Sequence, residues 1–109
     1  MLIASRLLKI RSGHGDTSVA VRLFSPERDD GGWRCRYEID WPNGKKSGAA
    51  AGVDSLQALV IALQKIGIEV YTSDHHKNGK LSWDRPGHGY GFPVAAIVRD
   101  VLQGDDKQL

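Results

Sequence analysis

Residues 54–70, DSLQALVIALQKIGIEV, limit what this chain can fold into more than any other stretch. Leu56, Leu59, Val60, Leu63, Ile66 and Val70 recur at helical spacing and make one apolar stripe. A stripe of this kind needs a surface to cover, so the spacing predicts one amphipathic helix lying across a small sheet. Asp54 is placed to cap its N-terminus, and Gln57, three residues on, can complete a capping-box-like pair. Gly67 lowers helix propensity near the end, which predicts a stop there or fraying on to Tyr71.

The sheet is legible before the helix. From Trp33 to Trp41, Trp33, Cys35, Tyr37, Ile39 and Trp41 take one face, and Arg34, Arg36, Glu38 and Asp40 take the other. That alternation is what a sheet with one wet side requires. Pro42-Asn43-Gly44 predicts a hairpin, and residues 45–51 return beside the first strand as a run of small side chains. Small residues there would let the helix approach the sheet closely. Residues 18–24 alternate as well, and residues 2–11 fit a first strand of undecided phase, because Leu7 and Leu8 point to opposite faces. Residues 25–32 read as a polar loop and residues 72–80 as a polar turn, with a short strand carrying Leu81 and Trp83 after it. Residues 85–93, RPGHGYGFP, are too rich in glycine and proline for a regular element. From Pro93, the spacing of Val94, Ile97, Val98, Val101 and Leu102 predicts a short C-terminal helix, ended by Gly104 and a solvated, flexible tail over 104–109.

The expected fold is therefore α+β: an antiparallel four-stranded meander packed on one long helix, with a second short C-terminal helix. A chain of 109 residues with 40% hydrophobic content supports a single domain over 1–109. A net charge of +2 falls short of the field of a dedicated nucleic-acid binder, and no apolar run is long enough for a membrane span. Arg6 and Lys9 interrupt the opening MLIASRLLKI, so it does not read as a signal sequence. The single cysteine, Cys35, excludes an intrachain disulfide. A cytoplasmic location is expected.

One resemblance can be placed on named residues. The strand pattern Trp33, Cys35, Tyr37 and Ile39, the run GVDSLQALVIALQKIG over 52–67, then Leu81-Ser82-Trp83 and the GYGFP of 89–93, resembles a bacterial family of small proteins with a domain of unknown function. The resemblance implies a bacterial source and the same order of elements. It implies no activity.

Chemistry is sparse. No paired carboxylates stand at a catalytic spacing, and no phosphate-loop or dinucleotide motif occurs. His75, His76 and His88, with Asp74 and Asp84 close in sequence, are the candidate metal set, with zinc as the ion. Adjacent histidines diverge from the backbone, so one of His75 and His76 would act with His88. Cofactors are otherwise expected to be none. Cys35 shares a strand face with Trp33 and Tyr37 and reads as a small buried hydrophobe. The long irregular stretch 72–93 is where a ligand site would lie, with Arg85, His88 and Tyr90 as its candidate residues. Against this, Trp83, Tyr90 and Phe92 could simply close the core.

Pairing of the second and third strands through a 25–32 loop would place Arg22 near Arg36 and Phe24 near Arg34. That resembles a single-stranded nucleic-acid platform, but Glu38 and Asp40 continue the face with opposite charge. Two functions of different class remain. One is a non-enzymatic protein-interaction module that binds a protein partner or itself as a homodimer, with nucleic acid and membrane not expected. The other is a small-ligand, anion or metal binder using the 72–93 loop.

Overall fold

Alternating polarity governs the first half of the chain, and helical spacing takes over after Gly52. The computed structural model describes residues 1–94. In order these form β1 (Leu2–Ile10), β2 (Thr17–Phe24), β3 (Glu27–Asp29), β4 (Gly32–Trp41), β5 (Gly44–Gly52), α1 (Ser55–Tyr71), α2 (Asp74–Lys77) and β6 (Leu81–Ser82). The architecture is α+β, and the strand pairings are antiparallel. Six strands build the sheet where four were expected. The expected C-terminal helix and the 104–109 tail lie outside the described residues.

The first added strand comes from the stretch expected to be a loop. Asp30 and Gly31 both adopt positive φ, at 47° and 86°. This is the backbone of a tight hairpin turn, and it lets Glu27–Asp29 pair with Gly32–Arg34. Both β2 and β3 therefore lie along β4, separated by Ser25 and Pro26. The register changes as a result. Arg22 pairs with Glu38, not Arg36. The short strand expected after the polar turn, outside the four-stranded meander, is β6; it spans Leu81–Ser82 without Trp83 and pairs with Ile10 and Lys9 at the far edge of β1.

The phase of β1 is settled by burial. Leu8 and Ile10 lie in the core, whereas Leu7 is 57% exposed on the outward face. On β4, Cys35, Tyr37 and Ile39 are buried beneath α1, as the alternation requires. Asp54 caps α1 by accepting from the Gln57 backbone N–H at 2.7 Å, and the Gln57 side chain accepts from Val53 N–H at 2.8 Å.

The helix is rotated from its expected setting. Its buried residues are Ala58, Ala62, Ile66, Gly67, Val70 and Tyr71. Leu59 and Leu63 are only half-buried, and Leu56 is 69% exposed. The cause is close approach. A Cβ on Gly52 would run into the backbone of Ala58. Leucines at 58 and 62 could not fit a gap that narrow, so alanines take the sheet side. Gly67 does not end the helix. A Cβ there would meet the Pro93 carbonyl and the Val94 side chain at 2.9 Å each, so its absence lets the 92–94 segment cross α1.

Candidate functional site

The stretch singled out as a ligand loop folds mostly inward. Tyr90 is 2% exposed, and Phe92 and Val94 are buried with it against Leu81 and Tyr71. Positive φ at Gly87, Gly89 and Gly91 gives the backbone the turns that bring these side chains in. The glycines serve the turn and the aromatics close the core.

Tyr90 is held by α2. Ser73 caps that single turn, accepting from His76 N–H at 3.2 Å. This sets the His76 ring against Tyr71 and Tyr90, both edge-on. Nδ1 of His76 lies 2.7 Å from the Tyr90 hydroxyl, which lies 3.3 Å from the Leu81 carbonyl. Both contacts are satisfied together when Nδ1–H donates to the hydroxyl and the hydroxyl donates to the carbonyl. His75 turns the other way and stacks on Trp41, with centroids 5.3 Å apart. His88 is exposed, and its backbone N–H donates to the Arg85 carbonyl at 3.3 Å. The three histidines are thus not drawn together. Among the described residues, no three of His, Cys, Asp and Glu converge as metal ligands. Of the expected ligand residues, Arg85 is exposed beside Asp84, His88 is exposed, and Tyr90 faces the core.

Burial holds the His76 imidazole below its ordinary value of 6.5. The unfolded chain then binds a proton before the native chain does. This contribution to stability is complete above about pH 6.5 and is lost as pH falls through the native value. Urea midpoints should drop between about pH 7 and about pH 5.5, and His76→Phe should flatten that slope. An equal slope in the variant would contradict the assignment. Asp40 does not interfere in this window. The Arg22 hydrogen bond, then its charge, holds Asp40 below an ordinary value of 3.8, so its loss comes at lower pH.

The residue that organises this end of the molecule is Arg6, which carried no expectation beyond interrupting an apolar run. On the inward phase of β1, its Nη1 donates to the Tyr90 and Gly91 carbonyls, at 3.0 Å each. Its guanidinium lies 3.9 Å from the centroid of Trp83 and 5.1 Å from that of Phe92. Beside it opens a cavity of about 200 Å³ walled by Leu23, Leu63, Ile66, Phe92 and Pro93. Its described walls hold no carboxylate, imidazole or thiol, so they offer no acid–base pair. Cys35 is equally removed from chemistry. It is buried, its thiol donates to the Phe24 carbonyl at 3.2 Å, and burial pushes its pKa up.

On the outward sheet face, Arg22 is engaged by carboxylates. It pairs with Asp40, and Nη1 lies 3.4 Å from Glu38. Arg36 sits over Phe24, 5.4 Å from the ring centroid, and lies 3.9 Å from Glu27. On the same face Leu2, opposite Phe24, and Leu7, opposite Ala20, remain exposed.

A protein-family model matches residues 4–94 over β1 through the segment that closes the core. The chain belongs to the DUF6968 family, a domain of unknown function. The DUF6968 match takes in Arg6, Tyr90 and all of the sheet but the first two residues of β1. No curated protein and no solved structure matches the chain. No described helix of this DUF6968 chain is long and apolar enough to cross a membrane.

Proposed function

We propose that this chain is a non-enzymatic interaction module whose outward sheet face receives a protein partner. The observation that carries the reading is the uncovered apolar group on that face. Leu7 is 57% exposed, and Leu2, which pairs with Phe24 on the same face, is 50% exposed, while Leu8 and Ile10 on the opposite face of β1 are buried. Exposed aliphatic side chains on a sheet, bordered by charge, are the usual make-up of a contact surface. Phe24 and Arg36 extend the group, and Arg34 lies farther along β4. The partner that fits offers apolar side chains edged by neutral polar groups, because Arg36 and Arg34 already lie 3.9 Å from Glu27 and Asp29. Arg22 is already neutralised by Asp40 and Glu38, which weighs against a nucleic-acid platform. A cytoplasmic setting is part of the proposal.

The test is Leu7→Asp. Its side chain points to solvent, so thermal unfolding should stay close to that of the parent chain. Binding partners captured by the parent chain from its source cells should be lost by the variant. Partners retained unchanged by folded Leu7→Asp would sink the reading. The small-ligand reading keeps one supporting observation, the apolar cavity beside Arg6. It would take a small molecule with an apolar body there, away from Arg85 and His88.

A further inference from the structure

Beyond the outward face, β5 presents a second surface, its outer edge. This strand pairs with β4 on one side, and among the described residues no strand pairs with the other. Lys65 shows which backbone groups face out, because its Nζ donates to the Ala49 carbonyl at 2.7 Å. Antiparallel pairing alternates, so Lys45, Ser47, Ala49 and Ala51 direct their N–H and C=O groups outward. Lys46, Gly48 and Ala50 direct theirs to β4. The strand has nine residues, no proline and no register shift against β4.

We infer that this edge pairs with the same edge of a second copy, two β5 strands running antiparallel about a two-fold axis at Gly48. The sequence is self-complementary in that register. Ser47 of one copy stands opposite Ala49 of the other, and Lys45 stands opposite Ala51. All four are outward-bonding positions, so every pair exchanges hydrogen bonds. The facing side chains are small or flexible and meet without collision. The lysine pairs Lys45-Lys46 fall at opposite ends of the joint. Six residues of strand separate the two ends by about 20 Å, beyond the ~8–10 Å range of unscreened repulsion in physiological salt. Lys65 need not leave, because the Ala49 carbonyl has a second lone pair for the incoming N–H.

The helix supports the same occupant. Lys65 on Ala49 and Glu69 on Lys46, 3.7 Å apart, place one flank of α1 over β5. Ile61 and Ile68 lie on that flank by helical spacing, and both are only half-buried. A two-fold axis normal to the sheet puts both helices on one face, with these flanks turned to each other across the joint.

Sedimentation of the full chain from micromolar to millimolar concentration tests the pairing. The parent chain should give a species of twice the chain mass. Ala49→Pro removes an outward N–H and leaves the bonds to β4 in place, so it should sediment as a folded monomer. Ser47→Cys combined with Ala49→Cys should cross-link between copies on oxidation, which keeps the test decisive if the proline variant fails to fold. A parent chain that stays monomeric throughout, a folded proline variant that still dimerises, or a cysteine pair that forms no cross-link would each overturn the pairing. Leu7→Asp should dimerise like the parent, so the edge and the outward face fail or stand separately.

Discussion

Ile66→Ala should lower the stability of the chain by about 2–5 kcal/mol, whereas Leu56→Ala should change it by no more than about 0.5 kcal/mol. Both residues belong to the apolar stripe read from helical spacing, so sequence pattern alone treats them alike. The structure separates them. Ile66 is fully buried between the sheet and the 92–94 segment, while Leu56 is 69% exposed. Removing Ile66 opens a cavity in a region where Gly67 already admits the crossing backbone, so the site has little room to collapse. Leu59→Ala and Leu63→Ala should fall between the two, because each is half-buried. Urea denaturation of the four variants measures the order directly. A Leu56→Ala loss as large as that of Ile66→Ala would return the helix to its expected rotation.

Arg6→Ala should cost about 2–4 kcal/mol, large for a residue that is not fully buried. Two carbonyls, those of Tyr90 and Gly91, take hydrogen bonds from the same Nη1. Truncation leaves them without that charged donor in a part-buried place, where charge-assisted bonds count for more than neutral ones. The stack on Trp83 and Phe92 is lost as well. Arg6→Lys should recover only part of the loss, because a point charge cannot lie flat between two rings. The environment of Trp83 offers a local readout. In Arg6→Ala its fluorescence should report solvent exposure at denaturant concentrations where the parent chain is still closed. A denaturation midpoint unchanged by Arg6→Ala would remove Arg6 from its place as the clamp.

The contrast between these two residues also shows what the chain discloses in advance. The presence and start of α1 were legible because Asp54, Gln57 and the 3.6-residue spacing agree, while its end was left open between Gly67 and Tyr71. Its rotation was not, because leucines dominate any count of hydrophobicity. The deciding fact is the closeness of the sheet, shown where Gly52 meets the Ala58 backbone. The alternation of β4 came through in full, since both faces are marked by residue type. The hairpin at Asp30-Gly31 carried its own signal, an Asp-Gly pair before a strand, hidden inside a run that is polar throughout. At the site, the divergence of adjacent histidines was legible, and the structure sends His75 to Trp41 and His76 to Tyr90. Arg6 was missed because the phase of β1 was open. With Leu8 and Ile10 inward, Arg6 falls on the same face and must find acceptors there. Its acceptors are backbone carbonyls more than eighty residues away, which no local pattern can show.

Residues 72–94 close the core, and binding is left to the sheet. Amide NMR spectra of the full chain, titrated in turn with phosphate, sulfate and zinc, and then with its own rising concentration, test this division in one set of samples. The amides of residues 85–94 should stay in place with all three ions, while those of Lys45, Ser47, Ala49 and Ala51 should move with concentration. Saturable shifts confined to residues 85–94 on adding an ion, with β5 unmoved, would contradict it.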